Sequence, residues 1–487
     1  MNTNLNKPPS PEESYDAIIV GAGIVGIQIL NELSGHGLKT LLIDQDDFCS
    51  QTSAASSKML HGGIRYLENY DFSLVREAQK EKKRVSQLAP HVTYEETFHL
   101  PVYEESLRPA WQINIGTKLY NFFSNSLKGK TQWLNKNETL KKFPHLDPNG
   151  LKGCALYEDV IMDDRKLAID LLLTTLKRKE ANAINHLSLE KVSEEGDIYR
   201  IQLKDQITKK ELNTKAKAVI YACGPFTDKA IKKTFTSHDD WKWFPVVLAS
   251  KGSHIWIANN NRILSPIVMT PNDGRVIFII PRENNRVLIG TTEVSEIENF
   301  DSPSPSGKEI DYIIDNFNEY FPNMKITTAD IIGQFSGIRP LIQEGHGHRG
   351  KTARHHKIYR PAKNVFTIAG GKWTTFCVMG RDIAKEVLTN FKISYNPHHS
   401  QFDIVPLSGF YAQNIQELSK AYKENSNDAE RKLDKMLKQV LSNEFVRTQD
   451  DLERRIGLKD SLFKFDKELE ELILTKVSTL SAIHKLN

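Results

Sequence analysis

Ala17-Ile-Ile-Val-Gly21-Ala-Gly23-Ile-Val-Gly26-Ile-Gln-Ile-Leu30 opens as a short apolar run, turns through three glycines and continues in a helical pattern to about Ser34. Strand, glycine loop and helix in that order begin a βαβ unit. In such a loop the first glycine makes the turn, the second admits a pyrophosphate, and the third lets the helix pack closely on the strand. The helix N-terminus then presents its amides to the phosphates. Thr40 to Ile43 follows as a second strand and ends at Asp44, eighteen residues past Gly26, where a carboxylate can accept from ribose hydroxyls. Gly21, Gly23, Gly26 and Asp44 are therefore expected to hold a dinucleotide; a plain tight βα turn is the alternative.

Directly behind this unit stands Thr52-Ser-Ala-Ala-Ser-Ser-Lys-Met-Leu-His-Gly-Gly-Ile-Arg-Tyr66. Gly62 and Gly63 let a backbone lie against a flat ligand. Lys58, His61 and Arg65 supply a cation, a group titrating near neutral pH and a forked anion donor. The block points to a reaction as well as a cofactor.

Composition narrows the class. The 487 residues are 39% hydrophobic, enough for two or three cored domains. Lys and Arg number 65 against 61 Asp and Glu, a balance that argues for no nucleic-acid partner. Cys49, Cys154, Cys223 and Cys377 lie far apart with no CxxC pair, which fits a reducing compartment without a zinc site or disulfide framework. Residues 1–14 are polar and proline-bearing, without the pattern of a signal peptide, and read as a disordered tail. No apolar run approaches the roughly 18 to 20 residues that span a bilayer. Any membrane attachment is therefore expected to be peripheral.

The rest of the chain divides by pattern. Residues 70–88 and 107–127 read as helices. The second carries Trp111, Ile115, Leu119, Phe122 and Phe123, a face expected first to pack in a core and alternatively to lie in a lipid interface. Residues 185–222 alternate like strands and close on Ala218 to Ala222 before Gly224. Two hairpin signals, Asn272-Asp-Gly274 and Glu283-Asn-Asn285, divide three strand-like runs between 267 and 289. Val365 to Ala369 leads into a second glycine turn, Gly370-Gly371-Lys372, and a helix from about Thr375. The fold class expected is α/β: a Rossmann-like FAD-binding domain (15–90, 151–232 and 355–400), an inserted antiparallel-sheet substrate domain (91–150 and 233–354) and a C-terminal helical domain (401–487). A cofactor domain dispersed along the chain in this way suits a long buried flavin better than an exchangeable nicotinamide, so FAD is expected.

Four motifs taken together carry a resemblance: Gly21 to Gly26, Thr52 to Tyr66, Phe335-Ser-Gly-Ile-Arg-Pro-Leu341 and Gly370-Gly-Lys-Trp-Thr-Thr375. Over about residues 15–405 the chain resembles the FAD-dependent glycerol-3-phosphate dehydrogenases, members of the D-amino-acid-oxidase-like flavoproteins. Thr448-Gln-Asp-Asp-Leu-Glu-Arg-Arg455 extends the likeness into the tail. The resemblance implies oxidation of sn-glycerol 3-phosphate to dihydroxyacetone phosphate, with electrons passed to a membrane quinone. It also implies attachment to the cytoplasmic membrane face through a lipid surface, and a homodimer is compatible with it.

Oxidising a secondary alcohol needs a base for the hydroxyl proton and a hydride acceptor. His61 suits the base, its intrinsic pKa being about 6.5. Arg339 is expected to polarise or orient the substrate oxygen, since a guanidinium stays protonated; service as the base itself is the alternative. A phosphate monoester calls for several cations or donors; Arg65, Tyr66, Arg275, Arg354, Lys372 and Thr374 are the candidates beside Arg339. Thr52, Ser53, Ser56, Ser57, Lys58, His61, Gly62, Gly63, Gly224, Gly371, Lys372 and Thr374 join the first four residues as the expected FAD contacts. Pairs such as His346/His348 and His398/His399 lack acidic or cysteine partners at ligand spacing, so no metal is expected. Alternatives are an oxygen-using glycerol-3-phosphate oxidase, a related hydroxy- or amino-acid flavin oxidoreductase, and a non-catalytic flavin-binding scaffold.

Overall fold

The computed structural model describes residues 13–64, 67, 71–124, 133–235, 243–259, 262–282, 285–342, 355–401, 403–404, 412–424, 426–443, 446–456 and 467–483. The N-terminal tail to residue 12, Arg65, Tyr66 and Arg354 lie outside them. Two compact units are present, one of residues 1–54, 165–248 and 340–487, the other of residues 55–164 and 249–339.

The first unit is built on an eight-stranded sheet among the described residues. Ser14–Val20 lies at its centre and pairs in parallel with Thr40–Ile43 on one side and with Glu211–Tyr221 on the other. Val365–Gly370 continues the parallel run beyond Glu211–Tyr221, and Ala181–Ile184 beyond Thr40–Ile43. Strands buried on both faces read as unbroken apolar runs, and Ala17-Ile-Ile and Leu41-Leu-Ile are of this kind. The glycine-loop helix, Ile24–Gly35, packs against the later helix Phe376–Asn390.

Register places four predicted features on one edge of this sheet. Val20 is opposite Ile43 and Tyr221, and Tyr221 is opposite Thr367. The chain therefore leaves the carboxyl ends of adjacent strands into the Gly21 loop, Asp44, the Cys223-Gly224 turn and the Gly370-Gly371-Lys372 turn. Ligands of open α/β sheets bind at such carboxyl ends.

The tail contributes four helices among the described residues, Ala412–Glu424, Ser426–Asn443, Gln449–Arg455 and Lys467–Ile483. They share a core of their own, including Leu433, Leu437, Leu452, Ile456, Ile473 and Val477.

The second unit rests on a nine-stranded sheet among the described residues. Its longest ladder pairs Thr93–Tyr103 with Leu151–Met162. The two predicted hairpins appear as Ile267–Met269, Ile277–Arg282 and Arg286–Gly290, paired antiparallel. Ile255, Ile279 and Ile289 from this sheet pack on Ile313, Phe317 and Phe321, which come from or border the helix Gly307–Tyr320. The helix Ala110–Ser124 corrects one expectation. Trp111, Ile115 and Phe122 are exposed, whereas Thr117 and Tyr120 are buried, so its polar side is the one turned inward.

No helix among the described residues is long and apolar enough to cross a membrane.

Candidate active site

The nucleotide edge of the first unit is held by the residues that would serve it. Gly21 has φ +101°, and a Cβ there would meet the Ala222 carbonyl oxygen at 2.7 Å. A Cβ on Gly26 would come within 1.9 Å of the Gly21 carbonyl oxygen, so the loop closes only without side chains. The Ala22 amide donates to Asp44 Oδ2 at 2.7 Å and the Asp46 amide to Oδ1 at 3.0 Å. Burial nevertheless pushes the Asp44 carboxyl up to about 7, helped by the charges of Asp46 and Asp47 and opposed by those two amides. It is a carboxylate short of donors, and ribose hydroxyls would supply them. Ser53 Oγ accepts from the Ile24 amide at 3.0 Å, one of the donors that the first turn of a helix leaves without an intrahelical partner.

The second glycine turn belongs to the same edge. Gly370 and Gly371 adopt φ of +82° and +80°, and the Trp373 indole donates to the Ser53 carbonyl at 2.9 Å. That bond ties the turn to the short helix Thr52–Ala54. Lys372 precedes the helical turn Trp373–Thr375, in which Thr374 is buried. Gly224, at φ +54°, opens another.

In the second unit the segment from Ser56 to Gly63 is held by partners from other elements. Ser56 Oγ donates to Asp164 Oδ2 at 2.6 Å, and the buried Lys58 ammonium reaches Asp164 Oδ1 at 2.7 Å. Ser56 and Lys58, expected at the cofactor, thus both direct polar groups to one buried carboxylate. Ser57 Oγ lies 2.9 Å from His254 Nε2. Met59–Leu60 then pairs with Ile161 and Val160, which delivers half-buried His61 to the end of a strand. The Gly62 amide donates to the Tyr120 hydroxyl at 2.6 Å, and that hydroxyl donates to Asp159 at 2.9 Å. Lys82 completes the group with a 2.9 Å ion pair to Asp159. Gly63 adopts φ +75°.

His254 is a site residue the sequence reading missed. Its ring is buried and stacks on Phe335 at 4.9 Å and 11°, and the Lys58 ammonium stands 5.3 Å from the Phe335 ring centre. Burial pushes the imidazole down to about 3, and the positive charges of Arg339 and Lys58 push in the same direction. Its Nδ1 has no hydrogen-bond partner among the described residues. The available signal was chemical: Lys251, Ser253 and His254 are polar positions buried within the strand Val247–Ala258.

Arg339 is half-buried and pinned by acceptors, Thr291 Oγ1 at 2.9 Å and the Thr292 carbonyl at 3.3 Å. A guanidinium held this way is set in place before a ligand arrives. Arg275 instead lies 3.6 Å from Asp273 at the rim of its hairpin, 40% exposed, with its guanidinium over Tyr312. The structure thus brings Ser57, Lys58, His254, Phe335 and Arg339 together within one unit.

The sequence matches the model of the FAD dependent oxidoreductase family over residues 16–386. The chain belongs to that family. Among its relatives is an aerobic glycerol-3-phosphate dehydrogenase of Staphylococcus haemolyticus, 31% identical over 81% of this chain and 71% of that one. A probable mitochondrial glycerol-3-phosphate dehydrogenase of Caenorhabditis elegans is 33% identical over 79% of this chain, which spans only 54% of that relative's length. The fold is that of a Bacillus halodurans glycerol-3-phosphate dehydrogenase complexed with FAD, at a TM-score of 0.72 and 24% identity, covering 97% of this chain and 91% of that one. As a flavin oxidoreductase, the chain uses FAD, and the close-packed glycines of the loop and the Asp44 carboxylate beside them fit that cofactor.

Proposed function

We propose that this flavin oxidoreductase oxidises sn-glycerol 3-phosphate to dihydroxyacetone phosphate and delivers the electrons to a membrane quinone. The observation that carries the substrate class is the guanidinium of Arg339, pinned by Thr291 and Thr292 before any ligand arrives. A fixed fork of N–H donors suits a phosphate or an alcohol oxygen. The names of the Staphylococcus relatives point to the same substrate.

FAD supplies a hydride acceptor at flavin N5 when bound. His61 takes the hydroxyl proton as general base. Arg339 directs its fork at the substrate oxygen or phosphate, its orientation fixed beforehand by Thr291 and Thr292. His254 is the second imidazole of the site. Held by Ser57 and Phe335, it serves as a neutral hydrogen-bonding group. Lys372, Thr374, Arg65, Tyr66, Arg275 and Arg354 are the further candidates for substrate binding, each to be tested by its alanine variant.

Quinone delivery is supported by the surface helix Ala110–Ser124. Trp111, Ile115 and Phe122 recur at helical spacing and are exposed, with exposed Lys118 among them. Aromatic rings and a lysine on one helix face suit a lipid headgroup boundary.

The substrate test is an anaerobic visible spectrum of the FAD-loaded protein. Glycerol 3-phosphate should bleach the flavin while glycerol and lactate do not, and an unbleached flavin overturns the substrate. His61→Asn should slow bleaching by roughly 10²- to 10⁴-fold with FAD content unchanged. Turnover with a soluble quinone should exceed peroxide formation in air, and the reverse would make the enzyme an oxidase. Replacing Trp111, Ile115 and Phe122 with serine should release the protein from anionic vesicles; unchanged co-sedimentation refutes the attachment.

A further inference from the structure

The loop from Asp44 to Cys49 lies between the nucleotide edge and the C-terminal helices. At one end Asp44 accepts from the Ala22 amide, and at the other the Cys49 amide donates to the Ala22 carbonyl at 3.1 Å. Both ends of the loop thus hold the same residue of the glycine turn. Its middle is held from the tail: Arg455 donates to both carboxylate oxygens of Asp47, at 2.5 and 2.6 Å. Arg455 is 2% exposed and Asp47 3%, so the pair is out of water.

A second grip lies one helical turn earlier. Asp451 accepts from His186 Nε2 at 2.9 Å and from the Arg447 and Thr448 amides at 2.9 and 3.0 Å. The His186 amide donates to the Asp46 carbonyl and the Leu187 amide to the Asp44 carbonyl. Asp451 and Arg455 are four residues apart and share one face of Gln449–Arg455, while Leu452 and Ile456 on the neighbouring face are buried in the tail's own core. Asp47, His186 and Asp451 lie close enough to suggest a cation site. However, Arg455 and Asn185 occupy Asp47, and His186 and two amides occupy Asp451, which makes the cluster a hydrogen-bonded joint.

We propose that Gln449–Arg455 is a clamp for the adenosine half of FAD, with Arg455 and Asp451 as positioning residues that act through Asp47 and His186 on the loop carrying Asp44. The tail thereby sets how tightly the cofactor is retained. None of its clamp residues belongs to the chemistry proposed above, so the clamp stands or falls independently of the substrate.

The test uses full-length apoprotein titrated with FAD, with flavin fluorescence as the readout. Arg455→Gln and Asp451→Asn should each raise the FAD dissociation constant at least tenfold, with Arg455→Lys in between. Arg454→Gln on the same helix, whose partner is the partly exposed Asp450, should leave it unchanged. ADP carries only the adenosine half, so its competition constant should rise by the same factor. Variants that melt earlier yet bind FAD and ADP like the parent would reduce the helix to a structural role and overturn the proposal. Should these variants fail to fold, the unaltered protein decides: coupling is reciprocal, so removing FAD should speed amide exchange across residues 446–456. Unchanged exchange there would equally overturn it.

Discussion

Tyr120→Phe removes one oxygen atom from the second unit and leaves the ring in place. That oxygen donates to Asp159, a buried carboxylate, and accepts the Gly62 amide. A hydrogen bond to a charged group contributes about 1.5–3 kcal/mol, and the amide bond about 1 more. The amide retains only a 3.4 Å approach to Asp159 Oδ1, and Lys82 still neutralises the carboxylate. The net loss is therefore about 2–4 kcal/mol, centred on the backbone between His61 and Gly63. If the loss is felt locally, the Gly62 amide should exchange with solvent at least about tenfold faster, since each 1.4 kcal/mol is tenfold. Mass-spectrometric exchange of the peptide 59–64 reads this directly, and flavin reduction by substrate should slow while FAD stays bound. Parent-like exchange at Gly62 together with parent-like melting would refute the reasoning, because the hydroxyl would then carry neither bond in solution.

Three further outcomes follow from the same geometry. Gly26→Ala should lose FAD retention at least tenfold, because its Cβ is directed at the Gly21 carbonyl, whereas Gly307→Ala, with nothing within 4 Å, should be silent; FAD-to-protein ratios after gel filtration distinguish them. The Glu309 carboxyl is buried, which alone would raise it, but donors from Lys251, Ser306, Ser253 and Thr292 hold it down at about 2 against an ordinary 4.5. A depressed carboxyl stabilises the fold above about pH 4.5 and loses that contribution as pH falls toward 2; melting curves between pH 3 and 6 should therefore drop steeply in the parent and more shallowly in Glu309→Gln, and equal slopes would contradict the assignment. Asp164→Ala takes the ion-pair partner from the buried Lys58 ammonium and should cost about 3–5 kcal/mol, whereas Lys58→Met with Asp164→Leu together should cost less, as denaturation of the two variants can show.

Much of the nucleotide edge was legible because local chemistry and global fold agree there. The glycine spacing, the helix from Ile24 and the acid at 44 each specify their own conformation within thirty residues. The ladder between Thr93–Tyr103 and Leu151–Met162 escaped because Pro101, Gly153 and the acids Glu95, Glu96, Glu158 and Asp159 interrupt its alternation. Asp159 is tolerated inside only because Lys82 and Tyr120 meet it from other elements. The same residue explains the reversed helix. Periodicity marks two faces of Ala110–Ser124, but the polar one is buried because Tyr120 has a carboxylate to reach. His254 was invisible for a similar reason: its meaning depends on Ser57, 197 positions earlier, and on Phe335.

The central position of Ser14–Val20 in its sheet has a consequence for biosynthesis. Its neighbour Glu211–Tyr221 and the next parallel strand Val365–Gly370 are encoded far downstream. At about 5–20 residues per second, the last of these leaves the ribosome roughly 20–70 s after the first. Until Glu211–Tyr221 emerges, Ser14–Val20 has only Thr40–Ile43 to pair with and its other edge is open. A nascent chain can display the glycine motif early, yet it has no completed edge to offer FAD until Val365–Gly370 has joined the sheet, so flavin capture follows that step.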